Sequence, residues 1–339
     1  MRYGLIANPA AGKQNPAETV LPKVRNYFQE QGLNPTCYMT KGHGNAVKLA
    51  AMEAEKGDPI RIYAFGGDGT LGEVAQGAAG KKNAEIGIFP CGSGNDYIKV
   101  FGSLHDFLSS QKQLAGISRP VDLIQTELGV SINVCSVGMD AMVALKMERL
   151  KRLPLVSGSS AYNLALMQVL FGHIGDNLRI RIDEKEEFNG CFLFALAAGG
   201  RYYGGGYCGA PQAVPDDGLL DFVLIRKPPF YKIPLLVGMY KAGKHISAKE
   251  FEKILTFRRG KKMEIFAQHP AASNRDGEVA LVKAVSFQVL PAAARFIVPQ
   301  NSLEGICKYF IKSCFLLKKL LIFGSEADKI GLALRANEC

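Results

Sequence analysis

A chain of 339 residues, 47% of them hydrophobic, is long enough for two domains with a core each. Its net charge of +10 favours an anionic partner, whether nucleic acid, phosphorylated small molecule or acidic membrane surface. The eight cysteines form no C-x-x-C pair and have no histidine at zinc-ligand spacing; they read as reduced, mostly buried thiols of a cytosolic protein. The start, MRYGLIANPA, turns polar too soon for a signal peptide, and no apolar run of about 18 residues is available to span a bilayer. A soluble or peripheral protein is expected.

The first 120 residues alternate β-rich runs with helical patterns: YGLIAN, a helix from Pro16, PTCYMT, a helix near 45–56, IRIYAF, a helix from Thr70, and IGIF. This order predicts a parallel sheet with helices on its faces. The first helix is marked by Asn15 as cap, Pro16 in its first turn, Glu18 at capping-box spacing, Val20, Val24 and Phe28 on one face, and Gly32 at its end. From Val121 the pattern changes to VDLIQTEL, VSINVCSV, LRIRID, CFLFALAA, LLDFVLI, KMEIFA, VSFQVL and RFIVP, with helices expected at 138–152 and 158–172. That reads as a second, mainly antiparallel β domain. With no linker between the halves, a cleft between tightly joined domains is expected.

Three glycine-rich loops fall where the α/β half exposes its strand ends: NPAAGK (8–13), GGDGT (66–70) and PCGSGND (90–96). Each can turn backbone N–H groups and a helix N-terminus toward phosphate oxygens. Neither G-x-x-x-x-G-K-[ST] nor G-x-G-x-x-G occurs, which excludes a P-loop and a dinucleotide fingerprint. Asp68 repels a phosphate unless a divalent cation lies between them, so it implies magnesium; the alternative is a carboxylate that only caps the following helix. The five histidines form no cluster and are read as surface or packing residues.

These motifs together resemble the soluble bacterial diacylglycerol kinase family, relatives of diacylglycerol, ceramide and sphingosine kinases, from NPAAGK to about Pro299. GGDGT alone is shared with NAD kinases. PCGSGNDYIKVFG is similar to the lipid-kinase P-x-G-[TS]-x-N-D segment, with Ser93 where threonine is commoner. The resemblance implies a nucleotide domain of phosphofructokinase and NAD-kinase type over 1–122, a β-sandwich lipid-binding domain over 123–299, and a helical extension over 300–339. It implies ATP and Mg2+ as cofactors, and in-line transfer of the γ-phosphoryl group to a lipid hydroxyl. ATP would be held by Asn8, Pro9, Ala10, Ala11, Gly12, Thr40, Gly66, Gly67, Asp68, Gly69, Thr70, Leu71, Gly72, Glu73, Ser93, Asn95 and Asp96.

Asp68 would act in catalysis with Asp276 and Glu278 of NRDGEVA, one of the latter two being the base; a D-G hairpin turn is the competing reading of that stretch. The resemblance also implies a structural magnesium in AVPDDGLLD, at Asp217, the carbonyls of Val214 and Leu219, and adjacent Asp216, where the residues alone read as a turn. Lys13 could neutralise phosphate or be a solvated helix-start lysine. Helix 158–172 resembles a segment beside the family's lipid pocket, with Tyr162, Leu166 and Val169 on one face.

Residues 304–323 read as a basic amphipathic helix that either rests on an acidic membrane or packs on the α/β domain. Further membrane-facing candidates are Lys146, Arg149, Lys151 and Arg152, and Arg258, Arg259, Lys261 and Lys262. The leading reading is a cytoplasmic lipid kinase at the inner membrane surface, without a nucleic-acid partner. Diacylglycerol is the foremost acceptor; sphingoid bases and phosphatidylglycerol stay open, and a homodimer is compatible. The competing readings are an NAD kinase and an inactive nucleotide- or lipid-binding regulator.

Overall fold

Alternate residues along β1 (Arg2–Ala7) go to opposite cores, Leu5 to one and Ile6 to the other, as a strand covered on both faces requires. The same holds for β3 (Ile60–Gly66), where Ile62 and Ala64 face one side and Tyr63 and Phe65 the other. With β2 (Thr36–Met39) and β4 (Ala84–Pro90) they form a parallel sheet in the order β2-β1-β3-β4. Leu21, Val24 and Phe28 cover one face; Ala46, Ala50, Leu71 and Val74 cover the other. The described residues of this computed structural model are 1–150, 164–165, 167–169 and 174–300, with side chains left out for 147–149. Most of the helix expected at 158–172, with Tyr162 and Leu166, lies outside them, as do the Arg149, Lys151 and Arg152 side chains and everything from residue 301.

The helix expected from Pro16 to Gly32 is two helices, α1 (Pro16–Thr19) and α2 (Leu21–Glu30), meeting at Val20. Pro22 has no N–H to donate back, so the ladder breaks there. Asn15 caps as expected, accepting from the Ala17 N–H at 3.0 Å, while its amide donates to Glu18 at 2.8 Å. Helix α3 spans Asn45–Glu55, and α4 (Asp68–Ala78) starts two residues earlier than the sequence suggests. Short helices α5 (Leu104–Leu108) and α6 (Ser110–Leu114) lead into β5 (Ile117–Thr126).

The second half is antiparallel: β6 (Gly129–Ser131), β7 (Val134–Gly138), β8 (Asp176–Ile182), β9 (Glu186–Ala198), β10 (Leu220–Arg226), β11 (Leu255–Gly260), β12 (Lys262–Arg275) and β13 (Glu278–Val298). Strands β9 and β12 each pair with β8 at one end and β7 at the other, which folds the sheet over a core of Ile180, Phe192, Phe222, Ile265 and Phe287. A second core on the outer face lies under α7 (Met139–Leu150) and α8 (Ile233–Lys241). The arrangement is the expected doubly wound α/β half followed by an antiparallel β-sandwich half.

Two runs expected as separate strands, VSFQVL and RFIVP, are one strand, β13, with an irregularity between Leu290 and Ala294 and φ 50° at Ala292. It leaves the sandwich beside β12, pairs with β5, and ends parallel to β4 through Phe296 and Ile86. The reading of mostly buried thiols is corrected: of the five described cysteines only Cys135 is buried, the others being half-buried, and all five are free. No helix among the described residues is long and apolar enough to cross a membrane.

Phe296 is fully buried against Tyr97 and Phe101, at ring separations of 5.2 and 4.9 Å, so the end of β13 fills the core of the first half. Phe296→Ala should lower the unfolding free energy by about 3–5 kcal/mol in urea denaturation.

Candidate active site

The three glycine loops meet at one edge of the parallel sheet because two of their glycines leave no room for a side chain. A Cβ on Gly12 would fall 2.1 Å from the carbonyl oxygen of Cys91, and one on Gly92 would fall 2.5 Å from the Gly67 Cα. Backbone crosses backbone at both points, and the Gly66 carbonyl accepts from the Cys91 N–H at 2.7 Å. Asn8 ties the first loop to the second by donating to the Thr70 hydroxyl at 3.2 Å, while its own Oδ1 accepts from the Ala10 N–H at 3.0 Å. Thr40 stands at the same edge, its N–H donating to the Ala7 carbonyl at 2.8 Å. Helix α4 has no side chain capping its N-terminus at Gly67, which leaves its first N–H groups open to an anion.

The Asp68 carboxylate does not cap its own helix. Its Oδ1 accepts from the Asp96 and Tyr97 N–H groups at 2.7 and 3.1 Å, and so caps the short helical turn Tyr97–Val100 across the loops. A Cβ on Gly94 would lie 3.2 Å from both Asp68 Oδ2 and Asp96 Oδ2, so these two acids converge on one point. Burial, then the Asp96 charge, push Asp68 up to about 6, against two opposing backbone hydrogen bonds. Lys99 ion-pairs with Asp96 Oδ1, and Asp96 Oδ2 accepts from the Gly205 N–H at 2.7 Å.

Asp276 and Gly277 form the two-residue turn between β12 and β13, both at positive φ (48° and 100°), so the hairpin reading of this stretch is correct. The turn also has a chemical consequence. Its tip packs on the connection at 132–134, where half-buried Asp276 accepts from the Ile132, Asn133 and Val134 N–H groups at 2.8, 3.2 and 3.0 Å. A Cβ on Gly72 of α4 would lie 3.2 Å from Asp276 Oδ2, which brings the acid of the β half against the helix of the GGDGT loop. Burial raises the Asp276 carboxyl above the usual carboxylate range. Glu278 points elsewhere, into ion pairs with Arg275 and, at 2.6 Å, with His43.

Other expected site residues have structural partners. Leu71 is fully buried in the core, and Glu73 accepts from the Gly44 and Ala46 N–H groups at 3.0 and 2.9 Å, capping α3. Asn95, at φ 48°, folds its amide onto Gly92, accepting at 3.1 Å and donating at 2.8 Å. Ser93, Gly12 and Lys13 are exposed at the loop rims. His43, given no role from sequence, has its ring nitrogen within 4.8 Å of carboxylate oxygens of both Glu73 and Glu278. It could not be found in advance because β2 and the turn at 276 converge only in the folded chain.

The AVPDDGLLD turn is an arginine-neutralised acid cluster. Arg259 pairs with Asp217 and, at 2.9 Å, with buried Asp221, and Arg119 pairs with Asp216 at 3.3 Å. Asp122, which sequence reading missed, accepts from Gly218 and Ala292 N–H groups at 2.7 and 2.8 Å and ties the turn to β5 and β13. One oxygen of Asp221 is buried without a partner, and burial pushes this carboxyl up to about 6. The donor set suits a hard cation, but Asp217 can join it only if Arg259 moves away. Three of the four charges in the run 258–262 form ion pairs, with Glu186, Asp217, Asp221 and Glu264.

A small apolar cavity of about 40 Å³ lies beneath α7 and α8, lined by Met139, Val143, Phe194, Tyr203, Tyr207, Ile225 and Leu236. Among the described residues its one acid is Asp140, pushed up to about 6 by burial. The loop carrying Tyr203 and Tyr207 is the same loop whose Gly205 donates to Asp96.

The family profile described as "Diacylglycerol kinase catalytic domain" matches residues 2–126, and that described as "YegS C-terminal NAD kinase beta sandwich-like domain" matches 133–298. A Pseudomonas aeruginosa protein named "Probable lipid kinase YegS-like" is 31% identical over 294 residues, covering 86% of this chain and 93% of its own length. The chain belongs to the diacylglycerol kinase and YegS-like lipid kinase family. A "Diacylglycerol kinase" of Bacillus subtilis is 26% identical over 90% of this chain and 99% of its own length. A crystal structure titled as a diacylglycerol kinase from Bacillus anthracis superposes with a TM-score of 0.64 over 89% of this chain and 98% of that one, at 18% identity, a likeness of fold. As a lipid kinase the chain carries every acid that the motifs led one to expect, with Asp68, Asp96 and Asp276 gathered at the junction of its two halves.

Asp68 gives a pH test in metal-free buffer. The folded carboxyl holds its proton up to about 6, the unfolded one only to about its ordinary 3.8, so the native state binds more protons between these values. Stability from this group therefore falls as pH rises from 3.8 to 6 and is level above that. Asp68→Asn keeps an oxygen acceptor and removes the fall. Urea unfolding should find the variant up to about 3 kcal/mol more stable than the parent above pH 6, and no different below pH 4.

Proposed function

We propose that this lipid kinase transfers the γ-phosphoryl group of ATP to a lipid hydroxyl at the inner membrane surface, with diacylglycerol the foremost acceptor and phosphatidic acid the product. The observation that carries the reading is the loop 202–207. It lines the small apolar cavity with Tyr203 and Tyr207 and hands its Gly205 N–H to Asp96, so an apolar side of the β half adjoins the acids of the phosphate loops. An NAD acceptor has no use for such a cavity, which favours a lipid over the NAD-kinase reading.

The open N-terminus of α4 and the backbone of loops 8–13, 66–70 and 90–96 would hold the triphosphate. Asp68 and Asp96 fit a divalent cation: their Oδ2 atoms converge, and burial together with the Asp96 charge raises Asp68. Magnesium held there would offset the charge of the phosphates during transfer. Asp276 is the base in this reading, because it lies against α4 and its carboxyl is raised, whereas Glu278 is engaged by the Arg275 guanidinium and by His43 Nε2. It takes the proton of the lipid hydroxyl, the lipid oxygen bonds to the γ-phosphorus, and the bond to the β,γ-bridging oxygen breaks to release ADP. The three N–H groups from 132–134 fix the carboxyl while it works.

Incubation with labelled ATP and magnesium, with diacylglycerol, sphingoid base, phosphatidylglycerol or NAD as acceptor, should place label in diacylglycerol. Label in NAD alone would overturn the reading, and label in no acceptor would favour a regulator. Asp276→Asn should lower kcat by about 10²–10⁴-fold, while Glu278→Gln loses clearly less. Equal losses in the two variants would remove the assignment of the base.

A further inference from the structure

Helix α8 is apolar on both sides, which a helix on a soluble surface ordinarily is not. Ile233, Leu236 and Tyr240 are buried in the core around the cavity, yet Leu235 is 60% exposed. In the turn just before the helix, Phe230 is 53% and Tyr231 76% exposed, the latter the highest among the large hydrophobic side chains described. Three such side chains within six positions form a patch, where scattered single residues would need no explanation.

The charge along this stretch of sequence has one sign, with Glu250 and Glu252 coming only after it. From Phe222 to Lys249 the sequence contains no Asp or Glu, while Lys227, Lys232, Lys241 and Lys244 are exposed and none is ion-paired with a described acid. The contrast with Arg258 and Arg259, whose charges are spent on neighbouring acids, is direct. Exposed aromatic and aliphatic groups framed by unpaired lysines match the boundary of an anionic bilayer, where Tyr favours the headgroup level and Lys the lipid charge. Self-association of the same patch is disfavoured because a two-fold contact would bring both sets of lysines together.

We propose that residues 227–241 are the segment by which this chain docks on an anionic lipid bilayer, with Phe230, Tyr231 and Leu235 entering the headgroup boundary. The inference rests on the lipid-kinase reading only for its purpose: the buried face of α8 walls the apolar cavity, so docking here sets that wall against the membrane from which an acceptor lipid would come. Pro228 and Pro229 precede the patch and hold its approach rigid without offering further N–H groups to be desolvated.

The chain contains no tryptophan, so Tyr231→Trp supplies a single fluorophore at the expected depth. Its emission should shift to the blue with vesicles of phosphatidylcholine and phosphatidylglycerol, weakly with phosphatidylcholine alone, and not on raising protein concentration without lipid. In sedimentation with the mixed vesicles, the Tyr231→Ser/Leu235→Ser protein should partition about tenfold or more weaker than the parent. An unshifted emission, equal partitioning of parent and double variant, or a shift that follows protein concentration alone would each overturn the proposal. Phosphorylation of a dispersed short-chain diacylglycerol separates the two readings. Loss of partitioning with that activity kept in the double variant supports both. Loss of partitioning when neither protein phosphorylates any lipid supports the docking surface and overturns the kinase reading.

Discussion

The geometry of the cleft depends on one half-buried carboxylate. Asp276 stands at a hairpin tip at positive φ, accepts three N–H groups from the strand connection at 132–134, and lies against Gly72 of the helix that follows the second glycine loop. Those contacts join two halves of the chain that are far apart in sequence. A buried carboxylate without such donors would cost several kcal/mol, so the connection between β6 and β7 and the tip of β12–β13 hold each other in place. Strand β13 then carries the constraint onward, from this tip through the sandwich to its last residues beside β4.

The same cleft concentrates negative charge. Asp68 is raised both by burial and by its neighbours Asp96 and Asp276, and among these acids Lys99 is the cation paired with Asp96. A fold selected for stability alone would not converge carboxylates in this way; strained electrostatics of this kind mark sites where an external cation or a transferred proton completes the balance. The AVPDDGLLD turn handles its acids differently, with Arg119 and Arg259 already in place. The two acid clusters thus differ in that one includes guanidinium groups, although burial still raises Asp221 there.

The β half supplies apolar space at the other side of this charge. Loop 202–207 touches both, through Tyr203 and Tyr207 at the cavity and Gly205 at Asp96. Helix α8 forms the cavity wall on one face and exposes Leu235 on the other. Glycine loops, acid pair, Asp276 and apolar cavity therefore follow one another across the junction of the halves.

Local pattern determined much of this protein. Strand runs, the three glycine loops, the Asn15 cap and the acids at 68, 96, 276 and 278 were all legible, because periodicity, turn residues and motif spacing are written over short stretches. The break at Val20 was legible in principle from Pro22, yet the apolar face running through it hid the signal. What only tertiary structure decided is how distant segments meet. Asp122 is an ordinary acid in a strand until Gly218 and Ala292 reach it, His43 an ordinary loop residue until Glu278 arrives, and Asp276 a turn residue until its tip packs on the connection at 132–134. The ion pairs of Arg258 and Arg259 were hidden for the same reason: whether a basic run meets acids depends on strand register, and β10 sets Arg259 opposite Asp221. Sequence fixes which groups are available; long-range pairing fixes which of them share a low-dielectric space, and that sharing sets their charge and chemistry.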